Sequence, residues 1–386
     1  MVTFQERVRG VVLATALGDA MGAPIEKLSY DEIKAKYGRV EGLNTKWYKE
    51  DYPPEQRLNR MRGRGIITDD TLMTLALMRV YNAKKRHLDA YDMGEEFLKE
   101  IAFRTTFIPE FAKEALIIDR LFYPEKYIFM RHTLSNCDPR EGGIGNMVNC
   151  GAAMYIAPIG VVNACNPKAA YDEAIAFAMG HQCSYGLEAA GVLAACVAKA
   201  FEPGVLIEDI VNTAIKLAKD GTKNAIRDLV NIANNLKEYK EDKDRIVNAF
   251  HEALLKYSPM GNDVGRHIDK VGKPSNHYTP SRLFSIEELP LALAYILLNE
   301  GEFYESLLDG INSGRDTDSI GVMIGVILCA MKGYKVIKES DIELLEGVNK
   351  LNLMESADGF YITAKEIINK DLEKYEKRKE LLKSIS

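Results

Sequence analysis

Apolar residues recur with helical spacing along almost the whole chain. The spacing predicts helices over 3–21, 68–83, 89–104, 109–121, 148–164, 168–180, 184–202, 206–219, 222–236, 242–257, 283–299, 302–312, 316–332 and 340–351, with a last one near 361–384. No sustained period-two alternation is bounded by hairpin turns, so strand is at most minor and the fold class is all-α. The segments 184–202 and 316–332 are apolar on every side, which predicts helices buried in the middle of the molecule. Gly, Pro and aromatic residues gather in three loops: 38–67 with Trp47, 131–147, and 258–282 with His267, Lys273, Pro274, His277 and Tyr278. Long loops in a compact helical fold tend to carry function. No linker tract or repeat divides the chain, which predicts one domain over 1–386. Its charge-alternating end, 361–386, reads as an amphipathic helical extension packed by Ile367, Ile368, Leu372 and Tyr375.

Composition narrows the function classes. The 386 residues carry 50 Lys and Arg against 56 Asp and Glu, a net charge of −6, with no basic block. That argues against a protein whose affinity comes from neutralising nucleic-acid phosphates. The segment 184–202 contains Glu188 and Lys199, and the apolar run 320–331 is too short for a bilayer core of ~30 Å, so no membrane partner is expected. The opening MVTFQERVRG lacks a cationic, apolar, small-residue leader, which predicts a cytoplasmic protein. The cysteines Cys137, Cys150, Cys165, Cys183, Cys196 and Cys329 form no CxxC pair and lie mostly in apolar stretches, as free thiols do in a reducing compartment.

Two acidic clusters bear on chemistry. Thr68, Asp69, Asp70 and Thr71 stand directly before an apolar helical stripe. Thr68 suits an N-cap and first-turn aspartates complement the helix dipole, so a solvated helix start accounts for this cluster taken alone. The second cluster, Asp316, Thr317, Asp318 and Ser319, opens the helix that is apolar all round. Its start is therefore recessed, and two carboxylates there repel each other unless something positive is present, either Arg315 or a divalent cation. Carboxylate and hydroxyl oxygens without nearby His or Cys suit Mg²⁺, Mn²⁺ or Ca²⁺. Two helix starts could hold two ions ~3.5–4 Å apart. Glu26, in the loop after Gly18, Asp19 and Gly22, could act as general acid or base or stand as an exposed loop glutamate. The glycine-dense segment from Gly142 to Gly151 could form an anion nest before a helix. His181 at a helix junction could be structural.

The segments GDAMGAPIE, TDDT, GAAMYIAPIG, HQCSYGLEAA and GRDTDSIG, in that order over residues 18 to 321, resemble the ADP-ribosylglycohydrolase family, of the dinitrogenase reductase-activating kind. The resemblance implies an orthogonal multi-helix globule with a dinuclear magnesium cleft. It implies two Mg²⁺ ions, with Mn²⁺ as a substitute, held by Thr68, Asp69, Asp70, Asp316, Asp318 and Ser319, the last where threonine is common. It implies a substrate that is ADP-ribosylated protein or a small riboside, wrapped by Gly145, Met147, Cys150, Gly151 and Tyr155 with His181 on the ligand side. Cys150 and Tyr155 stand where many members have Asn and Arg, which bears on the nucleotide part of specificity. Asp70, Asp318 and Glu26 are the expected catalytic residues: a ribose chelated through its vicinal hydroxyls would be aligned for attack at C1 by a metal-activated water. Three rivals remain. They are a hydrolase of simpler ribosides, a non-catalytic ADP-ribose reader, and an isoprenoid-synthase-like diphosphate binder, whose DDxxD pattern fails at Met73. The sequence leaves oligomeric state open.

Overall fold

The computed structural model describes residues 2–147, 150–257 and 286–385. Most of the 258–282 loop singled out above, with His267 and His277, lies outside them. Among the described residues the regular elements are helices apart from one antiparallel hairpin, Thr105–Ile108 with Lys113–Leu116. The fold is all-α, as the periodicity predicts.

Two helices make the centre. Phe4–Gly22 starts at Thr3, whose hydroxyl accepts from the Glu6 amide while the Glu6 carboxylate accepts from the Thr3 amide. That reciprocal cap fixes the entry of the chain. From Gly10 to Gly22 every residue of this helix is buried. Thr317–Lys332 is buried from Thr317 to Ala330, which is what an all-round apolar helix requires. The two cross backbone to backbone. A Cβ on Gly18 would lie 2.3 Å from the Gly321 carbonyl carbon, and one on Gly22 would lie 2.4 Å from the Asp318 amide nitrogen. Only glycine at both places lets the axes approach this closely. Asp69–Lys84 and the long Leu353–Ile385 helix pack on the first helix, while Glu288–Leu298 and Phe303–Asn312 pack on the second.

Several boundaries differ from the spacing. The stretch expected as helix 109–121 is instead the end of the hairpin and a short helix, Ile117–Arg120. Thr105, Thr106 and Ile108 are β-branched and Pro109 lacks an amide hydrogen, so the chain runs extended and turns at Phe111 and Ala112. Expected helix 89–104 breaks into Ala90–Asp92, a wide turn Met93–Phe97 and Leu98–Ala102. Among the described residues of the expected 148–164 helix, only Ala157–Val162 and a short turn at Ala153–Tyr155 are helical. Tyr30–Tyr37 and Tyr123–Ser135 are helices the spacing does not foresee. The final helix starts earlier than expected, at Leu353, and packs through Phe360, Ala364 and Ile367. Leu372 and Tyr375, expected to pack, are 57 % and 60 % exposed because the helix has by then outrun the body beneath it.

Candidate metal centre

The two acid-bearing helix starts meet, through local structure at each. After Pro24 the chain leaves the first helix and runs against residues 313–315. The Lys27 amide donates to the Arg315 carbonyl at 2.8 Å and the Arg315 amide to the Leu28 carbonyl at 2.9 Å. This stitch uses a left-handed turn, Gly314 at φ +85° and Arg315 at φ +74°, and it brings Glu26 beside Asp316. Thr317 Oγ1 donates to the Gly22 carbonyl at 2.8 Å, tying the second cluster to the end of the first helix. Asp316 occupies the N-cap position without making a side-chain cap bond, so its carboxylate faces the cleft instead.

At the other start, Thr68 sits at the N-cap position but does not cap with its side chain. Asp19 does that work from the first helix. Its Oδ2 accepts from the amides of Thr68 (2.8 Å) and Thr71 (3.1 Å) and from Thr71 Oγ1 (2.5 Å). Freed from capping, Thr68 Oγ1 donates to Asp69 Oδ1 at 3.2 Å and lies 3.4 Å from Asp70 Oδ2. Ser319 Oγ donates to Asp70 Oδ1 at 3.0 Å across the junction, a direct bond between the two clusters.

Carboxylate oxygens of Asp19, Asp70 and Asp318 lie within 4.8 Å of one another, and so do those of Glu26, Asp316 and Asp318. Asp318 belongs to both groups. Burial, then the charges of Asp318, Asp19 and Asp69, push Asp70 well above the usual carboxylate range. Burial and the Glu26 charge raise Asp318 to about 7 against the pull of Arg62. Burial raises Asp19 to about 6, although its hydrogen bonds oppose the rise. Asp19 Oδ1 is buried with no hydrogen-bond partner among the described residues. Such a set is stable only if protons or cations neutralise it. All-oxygen donors over this span fit a hard divalent ion, whose bonds run ~2.0–2.6 Å.

Arginines hold the rim. Arg62 pairs with Glu26 and, at 2.7 Å, with Glu110, while Arg120 pairs with Glu110 and with Asp69. Burial alone would raise Glu26, but the charges of Lys27 and Arg62 outweigh it and hold the carboxyl well below its usual range. Asp69 belongs to neither three-acid group; its carboxylate faces Arg120. Arg315, the expected neutralising cation, donates to the buried Glu287 at 2.7 Å.

The cleft between these groups encloses about 70 Å³. That is room for ions and ordered water. A hollow of about 430 Å³ between Tyr30 and His251 is larger but draws together none of these acid groups.

The expected site residues divide. Glu26, Asp69, Asp70, Asp316, Asp318, Ser319 and Cys150 all line the cleft, with Thr68 bonded behind them. Tyr155 and His181, expected to touch substrate, do not line it. Both are wholly buried among Phe97, Phe129 and Phe177, stacked at 5.6 Å with Tyr155 Oη and His181 Nδ1 2.8 Å apart. Burial lowers the imidazole to about 3, so the ring is neutral. Gly145 and Met147 are exposed and Gly151 is buried, and none of the three lines the cleft. Sequence reasoning passed over Asp19, Arg60, Arg62, Arg120 and Met154. The arginine spacing at 60, 62 and 64 and the two glycines around Asp19 were the available signals.

The family profile described as ADP-ribosylglycohydrolase matches residues 1–372. The chain belongs to the ADP-ribosylglycohydrolase family. An uncharacterized protein of Archaeoglobus fulgidus is 24 % identical over 339 residues, 86 % of this chain and 90 % of its own length. The Escherichia coli protein YegU, also uncharacterized, is 24 % identical over 356 residues, 90 % and 94 % of the two lengths. ADP-ribosyl-[dinitrogen reductase] glycohydrolase of Rhodospirillum rubrum is 36 % identical, but over 95 residues, 25 % and 28 % of the two. A solved chain titled "ADP-ribosylglycohydrolase-related protein complex" superposes with a TM-score of 0.61 at 18 % identity, covering 94 % of this chain and 99 % of that one, which shows the ADP-ribosylglycohydrolase fold. Among the described residues no helix is long and apolar enough to cross a membrane.

Proposed function

We propose that this family member is a Mg²⁺-dependent hydrolase that cleaves a ribosyl N- or O-glycosidic bond at C1 of ADP-ribose attached to a protein or a small acceptor. The observation that carries this reading is the pair of carboxylate groups sharing Asp318, bridged by the Ser319–Asp70 hydrogen bond. When bound, the ions supply charge for the acids, anchorage for vicinal ribose hydroxyls and a water acidified for attack. Asp19, Asp70, Asp316 and Asp318 would hold them, with Thr68, Asp69 and Ser319 as further oxygen donors. Mn²⁺ suits the same set. Asp318, common to both groups, is the residue best placed to take a proton from an attacking water. Glu26, kept ionised by Lys27 and Arg62, suits stabilising positive charge that develops at C1 in an oxocarbenium-like transition state. That role fits its depressed pKa better than proton donation does.

A simpler riboside as substrate is the second reading. It is favoured by the burial of Tyr155 and His181, which keeps two of the expected nucleotide-wrapping side chains out of the cleft. A substrate panel of ADP-ribosylated protein, small ADP-ribosyl compounds and plain nucleosides separates the two. Turnover is expected to vanish in EDTA and return with Mg²⁺ or Mn²⁺, and Asp70→Ala or Asp316→Ala is expected to lower it by at least about 100-fold. Full turnover after the metal has been removed would overturn the metal-dependent reading.

A further inference from the structure

A third group of donors adjoins the cleft through Asp316. Cys150 Sγ donates to Asp316 Oδ2 at 3.4 Å. Glu288, the first residue of the Glu288–Leu298 helix, brings a carboxylate oxygen within 4.8 Å of both. All three side chains are buried, Glu288 to 1 % exposure. Glu288 is the member without a structural explanation. Neither of its oxygens makes a hydrogen bond of ordinary geometry among the described residues, although the Asp316 side chain and its own amide stand beside it, while the nearby guanidinium of Arg315 is engaged by Glu287. A buried carboxylate with neither oxygen in a well-formed hydrogen bond is costly, and native structures keep such a group when a proton or a bound ion meets it.

The donor chemistry differs from that of the other two groups. Those are all oxygen and suit hard ions. Here one thiol stands with two carboxylates, and a thiolate selects borderline and soft divalent ions such as Zn²⁺, Co²⁺ and Cd²⁺ over Mg²⁺. Donor atoms within 4.8 Å of one another can converge on one ion, whose bonds run ~2.3 Å to sulfur and ~2.0–2.2 Å to oxygen. Three protein donors leave one position open.

We propose that Cys150, Glu288 and Asp316 form a thiolate-containing site for a divalent cation of the zinc class, adjoining the hard-ion groups and sharing Asp316 with them. Binding releases the thiol proton to solvent. Because Asp316 serves both sites, a zinc-class ion here draws a ligand away from the Glu26–Asp316–Asp318 group and antagonises magnesium. The site does not depend on what the enzyme hydrolyses, and its test measures no turnover.

The full chain, in Mg²⁺ and a thiol-free reductant, is titrated with Cd²⁺ and followed by the thiolate-to-cadmium charge-transfer absorption. The first equivalent is expected to develop the band. Cys150→Ser should abolish it, and Glu288→Gln should weaken the apparent affinity by about tenfold or more. Cys137→Ser, which removes the thiol 3.7 Å from His132, should leave the band intact. Absence of the band in the wild type, its survival in Cys150→Ser, or its loss in Cys137→Ser overturns the proposal. Wild-type crystals soaked in Cd²⁺ decide without any variant. An anomalous peak bonded to Cys150 Sγ supports the site, and a peak confined to the Asp19–Asp70–Asp318 group overturns it.

Discussion

Asp19 divides its two oxygens between two tasks. Oδ2 takes two amide hydrogens and a hydroxyl from the start of the Asp69 helix, and Oδ1 is left bare beside Asp70 and Asp318. An asparagine in its place would set an NH₂ group against donors or remove the charge offered to an ion. Asp19→Asn is expected to lose on the order of 1–3 kcal/mol of stability in denaturant unfolding. It should also lose most of the rise in Tm that Mg²⁺ gives the wild type. Unchanged stability and an unchanged Mg²⁺ response would show that neither oxygen matters. At this scale the sequence was legible where chemistry is contiguous. Thr68 to Asp70 and Asp316 to Ser319 are short motifs, and both fall in the cleft. Asp19 caps a helix 49 residues away, and Arg62 finds Glu26 across 36, so neither could be told from an ordinary charge in a chain with plentiful Lys, Arg, Asp and Glu. Tyr155 and His181 were assigned by their place in the resemblance, and only packing reveals that they face the core.

The long periodic elements were legible because one buried stripe imposes one spacing over many residues. Short ones were not. The hairpin at Thr105–Leu116 has four-residue strands whose apolar positions also satisfy a helical pattern, and Pro109 with the β-branched residues decides the matter locally. What the period cannot express is how near two helices come. The Gly18–Gly321 contact sets that separation, and with it the distance between the acid clusters. Alanine favours helix over glycine by ~1 kcal/mol in isolation. Gly18→Ala should nonetheless destabilise by roughly 1–3 kcal/mol, because the added methyl meets backbone that cannot rotate away. Denaturant unfolding checks the sign, and a more stable variant would mean the helices can separate freely.

Across the whole molecule ion pairs and hydrogen bonds fasten the last helix to the body at several points, Lys85 with Glu366 among them. Arg9 pairs with Asp358 at 2.7 Å. His87 sits between Glu173 (Nδ1, 2.5 Å) and Asp371 (Nε2, 2.6 Å), and Glu173 also accepts from Tyr81 Oη and the Leu88 amide. Its hydrogen bond to Glu173, against burial, raises His87 from 6.5 to about 9. A raised folded-state value means the protonated ring stabilises the fold. That contribution is complete below about 6.5 and fades as pH climbs through about 9. The wild type should therefore lose stability between those pH values relative to His87→Ala, with Tm against pH as the measurement, and parallel curves would count against the tie.

The turn that carries Glu26 is fastened to the turn before Asp316 by main-chain amides and carbonyls, groups every residue but proline possesses in full. Substitutions around the mouth can therefore accumulate and change what is admitted while the floor keeps its dimensions. A change in what is admitted needs no redesign of the centre, only new furniture at the door.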